Sequence, residues 1–338
     1  MQRFIAAKRE LITRSTAKQV FGLIADEMRH VEAEFERQAS SNIQVINYLG
    51  DYVRASGGKR LRPALLILTN RAAGGNAAEN VIRLATVMEM LHTATLVHDD
   101  IIDNADVRRN RPSINARFGN QSAVLMGDWL YMSAFETALG ERSLEILDIL
   151  TSLTRKMTEG EIIQMTMIAR LDISVEDYFN ILRRKTAYLF SACCEIGAIQ
   201  AEADESTKYA MRNFGLDLGI AFQLADDLLD LTGDAESLGK DAGADLLEGK
   251  LTLPLIKLVE AEPEMRGVFE RIMLDGNYDS FSRDKIRLSL ETAGIIDDMK
   301  AEAQTFLRRA KKSLDVLPET QYRSALEAIL NFIIERNA

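Results

Sequence analysis

The sequence predicts an all-α protein, and three observations support this class. Apolar residues recur at steps of three and four along most of the chain, which is the period of a helix with one buried face. Five prolines and 20 glycines are few for 338 residues, and no segment alternates convincingly as a half-buried strand does. Since no low-complexity linker or fixed-period repeat divides the chain, we expect one domain over residues 1–338, including an N-terminal helical segment of about 1–40.

Six long helices are predicted first along the chain, and four shorter ones follow. The long helices are expected near 16–37, 77–103, 120–138, 142–168, 174–201 and 206–231. The shorter helices are expected near 252–260, 279–293, 296–312 and 318–335. The main breaks are polar, glycine-bearing or both, as loops usually are, and they read "RASGGKR", "RNRPSINARFGN" and "TGDAESLGKDAGADLLEGK".

Composition excludes several classes of protein. The net charge of −10 argues against a nucleic-acid partner, because phosphate binding needs a basic face. No apolar run approaches the ~18 residues that a transmembrane helix needs. Cys193 and Cys194 are neighbours in sequence, and adjacent cysteines rarely form a disulfide, so we expect buried, reduced thiols and a cytoplasmic protein.

Two copies of the pattern D-D-x-x-D are the most unusual feature of the sequence. The first copy is Asp99, Asp100 and Asp103, and the second is Asp226, Asp227 and Asp230. Like charges four residues apart destabilise a helix by roughly 0.2–0.5 kcal/mol per pair. Both copies also lie near a predicted helix C-terminus, where the dipole disfavours anions. A divalent cation would relieve both effects, and Mg²⁺ suits open carboxylates; a solvated acidic helix end is the less favoured alternative for two copies.

Basic residues accompany both aspartate motifs. A glycine pair precedes Lys59, Arg60 and Arg62, while Arg108 and Arg109 follow the first motif and Lys240 and Lys250 follow the second. Cations beside metal-binding carboxylates indicate a site for a polyanion, most simply a diphosphate. Neither a Walker loop nor a G-x-G-x-x-G pattern occurs, so ordinary nucleotide binding is not indicated.

With these landmarks in order, the sequence resembles the trans-polyprenyl diphosphate synthases, which elongate isoprenyl chains. The resemblance runs from about "GGKRLRP" to "EGKLTLPLI", and more loosely over the whole chain. One D-D-x-x-D motif alone is weak evidence, whereas the ordered set is specific. Its members are "GGKRLRP", "HTATLVHDDIIDNADVRRN", "MGDWL", "EGEIIQ", "KTAYLFSACCEIGA", "FQLADDLLDLTGD" and "LGKDAGADLLEGKLTLPLI".

The resemblance implies the terpenoid-synthase fold, a helical bundle around a central cavity, with the two aspartate motifs facing each other across the cavity mouth. It also implies a metal site of about three Mg²⁺ ions, for which Mn²⁺ can substitute. The metal ligands are then expected to be Asp99, Asp103 and Asp226. The supporting carboxylates are Asp100, Asp227 and Asp230.

The same resemblance implies two diphosphate substrates. The allylic diphosphate, farnesyl or geranyl, is expected to bind Arg108, Lys185, Lys240 and Lys250. The isopentenyl diphosphate is expected to bind Lys59, Arg62, His92 and Arg109. Catalytic positions beside the reacting carbons are expected at Lys185, Thr186 and Gln223. The resemblance further implies a homodimer.

Product length is expected to depend on the helix that carries the first motif. Side chains tilt toward a helix N-terminus, so the residues one turn before Asp99 should lie below the diphosphate. These are Ala94 and Thr95, with Leu91 and Met88 deeper and Phe135 as the candidate floor. Because Ala94 and Thr95 are small, we expect a long all-trans product of about forty to fifty carbons, since 77–103 gives roughly 1.5 Å of wall per residue. Such a product would serve as a quinone side chain.

Other functions remain as alternatives. The nearest is a shorter-chain synthase that makes geranylgeranyl or farnesyl diphosphate. A terpene cyclase comes third, because it needs no isopentenyl diphosphate site and both complete aspartate motifs argue against it. The alternative from another class is a non-catalytic subunit of a two-component prenyl synthase, although such subunits tend to lose the aspartates that this chain keeps.

Overall fold

The chain is helical over almost all of its described length. The computed structural model describes residues 18–55, 57–108, 111–233 and 243–336. A helical segment at 18–22 comes first. The helices that follow are α1 Ala25–Ala39, α2 Gln44–Ala55, α3 Leu61–Ala72, α4 Glu79–Ile102, α5 Ile114–Phe118, α6 Asn120–Gly140, α7 Leu144–Met167, α8 Val175–Leu182, α9 Tyr188–Ile199, α10 Glu205–Thr232, α11 Ala244–Leu247, α12 Leu253–Ala261, α13 Met265–Asp275, α14 Arg283–Thr292, α15 Ile295–Ser313 and α16 Gln321–Arg336.

The predicted all-α class is confirmed, and the ten predicted helices correspond to elements of the structure. The expected segment 16–37 is interrupted by a turn at 23–24, and its first two residues lie outside the described residues. The helix expected over 174–201 contains a turn of π-helix, Arg183–Ala187, between α8 and α9. Sequence periodicity missed α2, α3, α5, α11 and α13. Three of these are longer than ten residues; α3 is buried along most of its length, which leaves little amphipathic signal.

One short hairpin corrects the expectation of no strands. β1, Val107–Arg108, pairs antiparallel with β2, Arg111–Pro112. With two residues in each strand, no alternating pattern can develop, so the sequence carries no signal for it. The hydroxyl of Tyr52 on α2 donates to the carbonyl of Pro112 at 2.7 Å, which ties this hairpin to the bundle directly after the first aspartate motif.

Three helices form the centre of the bundle. α9 is buried along nearly its whole length, as expected for a helix that is apolar all round. It lies between α3 and α10, while α4 packs against α6 and α10 packs against α15. Two apolar clusters meet along α10: one is built mainly on α3, α4, α6 and α9, and the other on α12 to α15. The C-terminal ends of α4 and α10 carry the two aspartate motifs.

The π-helical turn is enclosed by close backbone packing. An ideal Cβ at Gly160 of α7 would lie 2.7 Å from the Cβ of Arg184, and one at Gly219 of α10 would lie 2.7 Å from the Cα of Ala187. Both distances are below real contact distances, so glycine at these two positions lets α7 and α10 approach the turn. Turns of π-helix occur frequently at functional sites, and this one carries Lys185 and Thr186.

Two further expectations can be compared with the fold. Among the described residues, no helix combines the length and apolarity needed to cross a membrane. Cys193 and Cys194 are free and fully buried on α9, as predicted. Burial raises the pKa of the Cys194 thiol to about 12, which makes it an inert part of the core.

Candidate active site

A cavity of about 600 Å³ brings the two aspartate motifs together. Asp99 and Asp103 line it from the end of α4, and Asp226 lines it from α10. The remaining wall combines basic and polar side chains with apolar ones. Its basic and polar members are Lys59, Arg60, Arg62, Glu89, His92, Thr95, Arg108, Lys185, Thr186 and Gln223. Its apolar members are Leu61, Leu96, Met157, Leu189, Phe190 and Phe222.

The three aspartates of the first motif have different surroundings. Asp99 and Asp103 are four residues apart and share the cavity face, as their spacing predicts. Asp100 is buried and accepts a hydrogen bond from Nε of Arg108 at 2.7 Å. Asp103 follows the last residue of α4, and its Oδ1 lies 3.0 Å from Nζ of Lys250. The ion pair between Asp103 and Lys250 therefore joins the first motif to the loop after the second one.

The second motif is divided in a similar way. Asp226 lines the cavity, whereas Asp227 and Asp230 are buried. The carboxylate of Asp227 accepts hydrogen bonds from the Tyr178 hydroxyl at 2.5 Å and from Nε2 of Gln223 at 2.7 Å. Asp230 accepts from the backbone amide of Asp245 at 3.4 Å. One carboxylate of this motif thus faces the cavity, and two belong to its support.

Burial and neighbouring charge perturb the acids of the site. Burial raises the pKa of Asp99 to about 6; the Lys185 ammonium opposes this shift, while the carboxylates of Glu161 and Asp103 add to it. Burial also raises the pKa of Asp227 above the usual carboxyl range. A second cation or a metal ion near Asp99 would favour its ionised form.

Lys250 has the opposite balance. Burial alone would lower the pKa of its ammonium group, but the carboxylates of Glu248 and Asp103 raise it above the ordinary value for lysine. Lys250 is therefore charged at all physiological pH values. It supplies a fixed positive charge at the edge of the aspartate site.

The "GGKRLRP" segment contributes basic side chains to the cavity that the carboxylates line. Lys59 and Arg62 line the cavity, and the Arg62 guanidinium lies over the Phe190 ring at 5.0 Å. Arg60, between them, is held differently. It adopts a left-handed backbone conformation with φ of 50°, and its guanidinium bonds Glu32 of α1 at 2.6 Å and Glu89 of α4 at 2.7 Å.

The π-helical turn supplies the polar groups between the two motifs. The Lys185 ammonium lies 2.8 Å from the Glu161 carboxylate and donates to Oε1 of Gln164 at 2.7 Å. The Thr186 hydroxyl donates to Oε1 of Gln223 at 3.0 Å. Lys185, Thr186 and Gln223, all selected from the sequence, therefore lie on one wall of the cavity.

Two of the selected residues, Arg109 and Lys240, lie outside the described residues. Tyr178, Glu89, Glu161 and Gln164 contact the site but had no assigned role in the sequence analysis. Glu161 and Gln164 belong to "EGEIIQ", one of the family landmarks, so a signal for them was present. Tyr178 precedes Asp227 by 49 residues, and nothing in the sequence pattern links the two.

The five residues expected to govern product length are distributed unevenly, and Met88 is fully buried in the core. Thr95 lines the cavity. Ala94 and Leu91 are buried in the core beneath it and are not among the residues of its wall. Phe135 is half-buried on α6 and packs against the larger apolar cluster. The cavity wall on α4 therefore includes Thr95, His92 and Glu89 but not Ala94 or Leu91.

The donor set fits a hard divalent cation that also binds substrate. Among the described residues, no group of three or more histidine, cysteine, aspartate or glutamate side chains could hold a metal ion unaided. Asp99, Asp103 and Asp226 line one cavity together with lysine and arginine side chains. Mg²⁺ in proteins is often held by one or two carboxylates, with water and phosphate oxygens completing its shell. These three residues match that pattern.

In this helical bundle, two acidic motifs and several lysine and arginine side chains line one cavity. That combination is typical of a class of enzymes that bind diphosphates. Residues 43–285 match the pattern of the family described as "Polyprenyl synthetase". The chain belongs to the polyprenyl synthetase family of prenyltransferases.

Individual relatives agree with this assignment. An octaprenyl diphosphate synthase of Escherichia coli is 36% identical over 318 residues, which covers 93% of this chain and 97% of that protein. A short chain isoprenyl diphosphate synthase of Methanothermobacter thermautotrophicus is 34% identical over 290 residues, covering 85% and 89%. A polyprenyl synthase from Caulobacter crescentus, crystallised with calcium and isoprenyl diphosphate, is 35% identical; it superposes with a TM-score of 0.89 and covers 95% of this chain and 98% of that one.

Proposed function

We propose that the chain is a Mg²⁺-dependent trans-prenyltransferase. It condenses an allylic diphosphate with successive isopentenyl diphosphates and yields an all-trans polyprenyl diphosphate. The length of the α4 wall suggests a product of about forty to fifty carbons. Such a product would serve as a quinone side chain. The observation that carries this proposal is the cavity itself, in which Asp99, Asp103 and Asp226 oppose a basic wall. The similarity to an octaprenyl diphosphate synthase supports the long product.

Metal binding is assigned to the three carboxylates that line the cavity. Asp99, Asp103 and Asp226 would hold about three Mg²⁺ ions together with phosphate oxygens. When bound, the metal supplies positive charge that stabilises the leaving diphosphate. Asp100, Asp227 and Asp230 support the site from buried positions, each through a contact with the surrounding protein.

The two substrates are assigned to opposite parts of the basic wall. Arg108, Lys185 and Lys250 bind the allylic diphosphate from the side of the aspartates, with Lys240 as a fourth candidate. Lys59, Arg62 and His92 bind isopentenyl diphosphate, with Arg109 as a further candidate. Charge-assisted hydrogen bonds from these groups orient each diphosphate, which holds the two carbon chains against each other below.

The reacting carbons lie between the π-helical turn and α10. Breaking the allylic C–O bond sends its electron pair to the diphosphate and leaves a carbocation. The oxygens of Thr186 and Gln223 and the carbonyl of Lys185 stabilise this charge through their dipoles. Met157, Leu189 and Phe222 exclude water. The isopentenyl alkene then forms the new C–C bond, and the released diphosphate takes the proton that the product loses.

Sequence identity alone does not decide the length of the product. The chain is 36% identical to an octaprenyl diphosphate synthase and 34% identical to a short chain synthase. The small side chains of Ala94 and Thr95 favour long products, because neither forms a bulky floor near the first motif. The second candidate, a geranylgeranyl or farnesyl diphosphate synthase, is supported by the identity to the short chain synthase.

Purified protein tests the proposal directly. We expect incubation with isopentenyl diphosphate, farnesyl diphosphate and Mg²⁺ to give a long product by mass spectrometry, and no product once a chelator is added. Asp226→Asn should reduce turnover by several powers of ten, whereas Asp148→Asn, on the exposed face of α7, should not. Metal-independent turnover, or a fully active Asp226→Asn protein, contradicts the proposal.

We also propose a homodimer. Leu125, Met132 and Leu139 recur every seven residues on α6 and are 68%, 63% and 49% exposed, which forms an apolar stripe along one helix face. A second copy is the partner that the family resemblance implies. Light scattering should give about twice the mass of 37.8 kDa, and Met132→Glu should halve it. Leu288 is also exposed, on α14; Leu288→Glu is therefore the control and should leave the mass unchanged.

A further inference from the structure

A chain of hydrogen bonds runs from the core to the cavity through one carboxylate. The Tyr178 hydroxyl on α8 donates to Oδ2 of Asp227 at 2.5 Å. Oδ1 of Asp227 accepts from Nε2 of Gln223 at 2.7 Å, and Oε1 of Gln223 accepts from the Thr186 hydroxyl at 3.0 Å. Tyr178 and Asp227 are buried, whereas Gln223 and Thr186 line the cavity.

The direction of these hydrogen bonds fixes two cavity groups. Asp227 accepts from both neighbours, so the amide nitrogen of Gln223 must face the carboxylate and its oxygen must face Thr186. A flipped amide would set its oxygen against the carboxylate, which is repulsive. The Thr186 hydroxyl then donates its hydrogen bond to Gln223, and the lone pairs of the hydroxyl oxygen remain available to the cavity. Negative ends of dipoles are therefore directed at the carbon that becomes positive.

Asp227 can fix the orientation of the Gln223 amide only if its own carboxylate is fixed in place. A second cavity of about 170 Å³ is lined by Asp227 and Tyr178, and it shares Lys185, Thr186 and Gln223 with the first cavity. The carboxylate therefore has space into which it could turn. The Tyr178 hydroxyl supplies a short hydrogen bond to this buried carboxyl group, and a hydrogen bond to an ionised carboxylate is about twice as strong as a neutral one.

We propose that Tyr178 is a positioning residue, which acts through Asp227 to fix the orientation of Gln223 and Thr186 beside the allylic carbon. This inference rests on the proposed function, which assigns Gln223 and Thr186 to the reacting carbons. Tyr178 does not line the cavity proposed for the substrates. Its loss should reduce the rate of the chemical step and leave diphosphate binding intact.

The substitution Tyr178→Phe removes one hydroxyl and keeps the ring. We expect kcat to fall by about tenfold to a hundredfold, as for other groups that orient a catalytic residue, with both KM values within about twofold. Binding of inorganic diphosphate with Mg²⁺, measured by calorimetry, should be unchanged. Ser191→Ala is the matched control, because it also removes one buried hydroxyl that donates to α10, here to the carbonyl of Arg212, and Ser191 does not line the cavity.

A double-mutant cycle with Thr186→Val separates positioning from a structural role. If Tyr178 acts through Thr186, Tyr178→Phe should cost little further activity in the Thr186→Val background. Multiplied losses in the double variant, an unchanged kcat in Tyr178→Phe, or a parallel loss of diphosphate binding each overturn the inference. A wild-type protein that forms no prenyl diphosphate instead overturns the proposed function, so the two failures are distinguishable.

Discussion

Nζ of Lys250 lies 3.0 Å from Oδ1 of Asp103, a residue 147 positions earlier in the chain. The ammonium group is partly buried, and the carboxylates of Glu248 and Asp103 raise its pKa above the ordinary value for lysine. Because it joins the end of the first aspartate motif to the segment after the second, it sets the width of the site. It also supplies one of the cations proposed for the allylic diphosphate.

Lys250→Ala should weaken binding of the allylic substrate. Loss of one charge-assisted hydrogen bond costs about 1.5–3 kcal/mol, which corresponds to a rise in KM of roughly tenfold to a hundredfold. Steady-state kinetics with farnesyl diphosphate as the varied substrate measures this. Lys257→Ala is the control, since Lys257 pairs with Glu302 at 3.2 Å and lines neither the aspartate cavity nor the smaller cavity beside it. Equal KM values in the two variants would exclude a substrate-binding role for Lys250.

Substitution at the cavity wall should shorten the product. Thr95→Tyr inserts a ring into the space below the first motif, where Thr95 lines the cavity. The growing chain is expected to extend along α4, which rises about 1.5 Å per residue. A ring near the start of that path should stop the product at about fifteen to twenty carbons. Ala94→Tyr should act in the same direction with a larger loss of stability, since Ala94 is fully buried. Mass spectrometry of extracted products is the measurement, and Thr305→Tyr, at an exposed position of α15, is the control. Unchanged product lengths in both the Thr95→Tyr and Ala94→Tyr variants contradict the tunnel.

Gly219→Ala should disturb the π-helical turn. The added methyl group would meet the backbone of Ala187 at 2.7 Å, and such overpacking typically costs 1–3 kcal/mol. Because the turn carries Lys185 and Thr186, turnover should fall along with the thermal midpoint. Gly267→Ala in α13 is the matched control, since an added Cβ there meets nothing within 4 Å. It should raise stability by up to about 1 kcal/mol. A Gly219→Ala protein with normal turnover would separate the turn from catalysis.

Asp217 should make stability depend on pH. It is 2% exposed on α10, and Arg309 lies 3.0 Å from its Oδ1. Burial raises the pKa of Asp217, with Arg309 opposing, so the folded protein retains this proton to higher pH than the unfolded chain. The contribution to the free energy of unfolding therefore falls as pH rises from the ordinary carboxyl pKa of about 3.9 through the raised value.

Asp217→Asn should remove that decline. The difference in free energy of unfolding, Asn variant minus wild type, should grow between about pH 3.5 and pH 7. Urea denaturation at both values measures it. Arg309→Gln is the companion variant and should make the decline of the Asp217 protein steeper, because the opposing charge is gone. A difference that stays constant with pH would show that Asp217 titrates normally.

The sequence predicted the parts of the fold and site that depend on local spacing. Asp99 and Asp103 share a face because they are four residues apart, and both motifs end long helices whose periodicity was clear. The pairing of these motifs with Lys59 and Arg62 in one cavity came from the resemblance to a family. Neither inference required knowledge of how distant helices pack.

What the sequence missed depends on contacts between distant segments. The resemblance already separated Asp226 from Asp227, but no pattern in the sequence connects Asp227 with Tyr178, whose hydroxyl holds it. The π-helical turn adds a residue to a helix without changing its apolar pattern, so its effect on Lys185 is invisible in sequence. The position of Ala94 below the cavity wall, rather than on it, likewise depends on the tilt of α4 against its neighbours.

Arg60 has a practical consequence for anyone who trims the gene. The family match begins at residue 43, but Arg60 is held by Glu32 of α1, and its guanidinium lies 5.6 Å from the ring of buried Phe35. Removing α1 would leave the ion pair between Arg60 and Glu89 as the remaining anchor of these two for the "GGKRLRP" segment, and it would expose the core where Phe35 packs. The shortest gene that encodes a working enzyme must therefore begin upstream of the region by which its relatives are recognised.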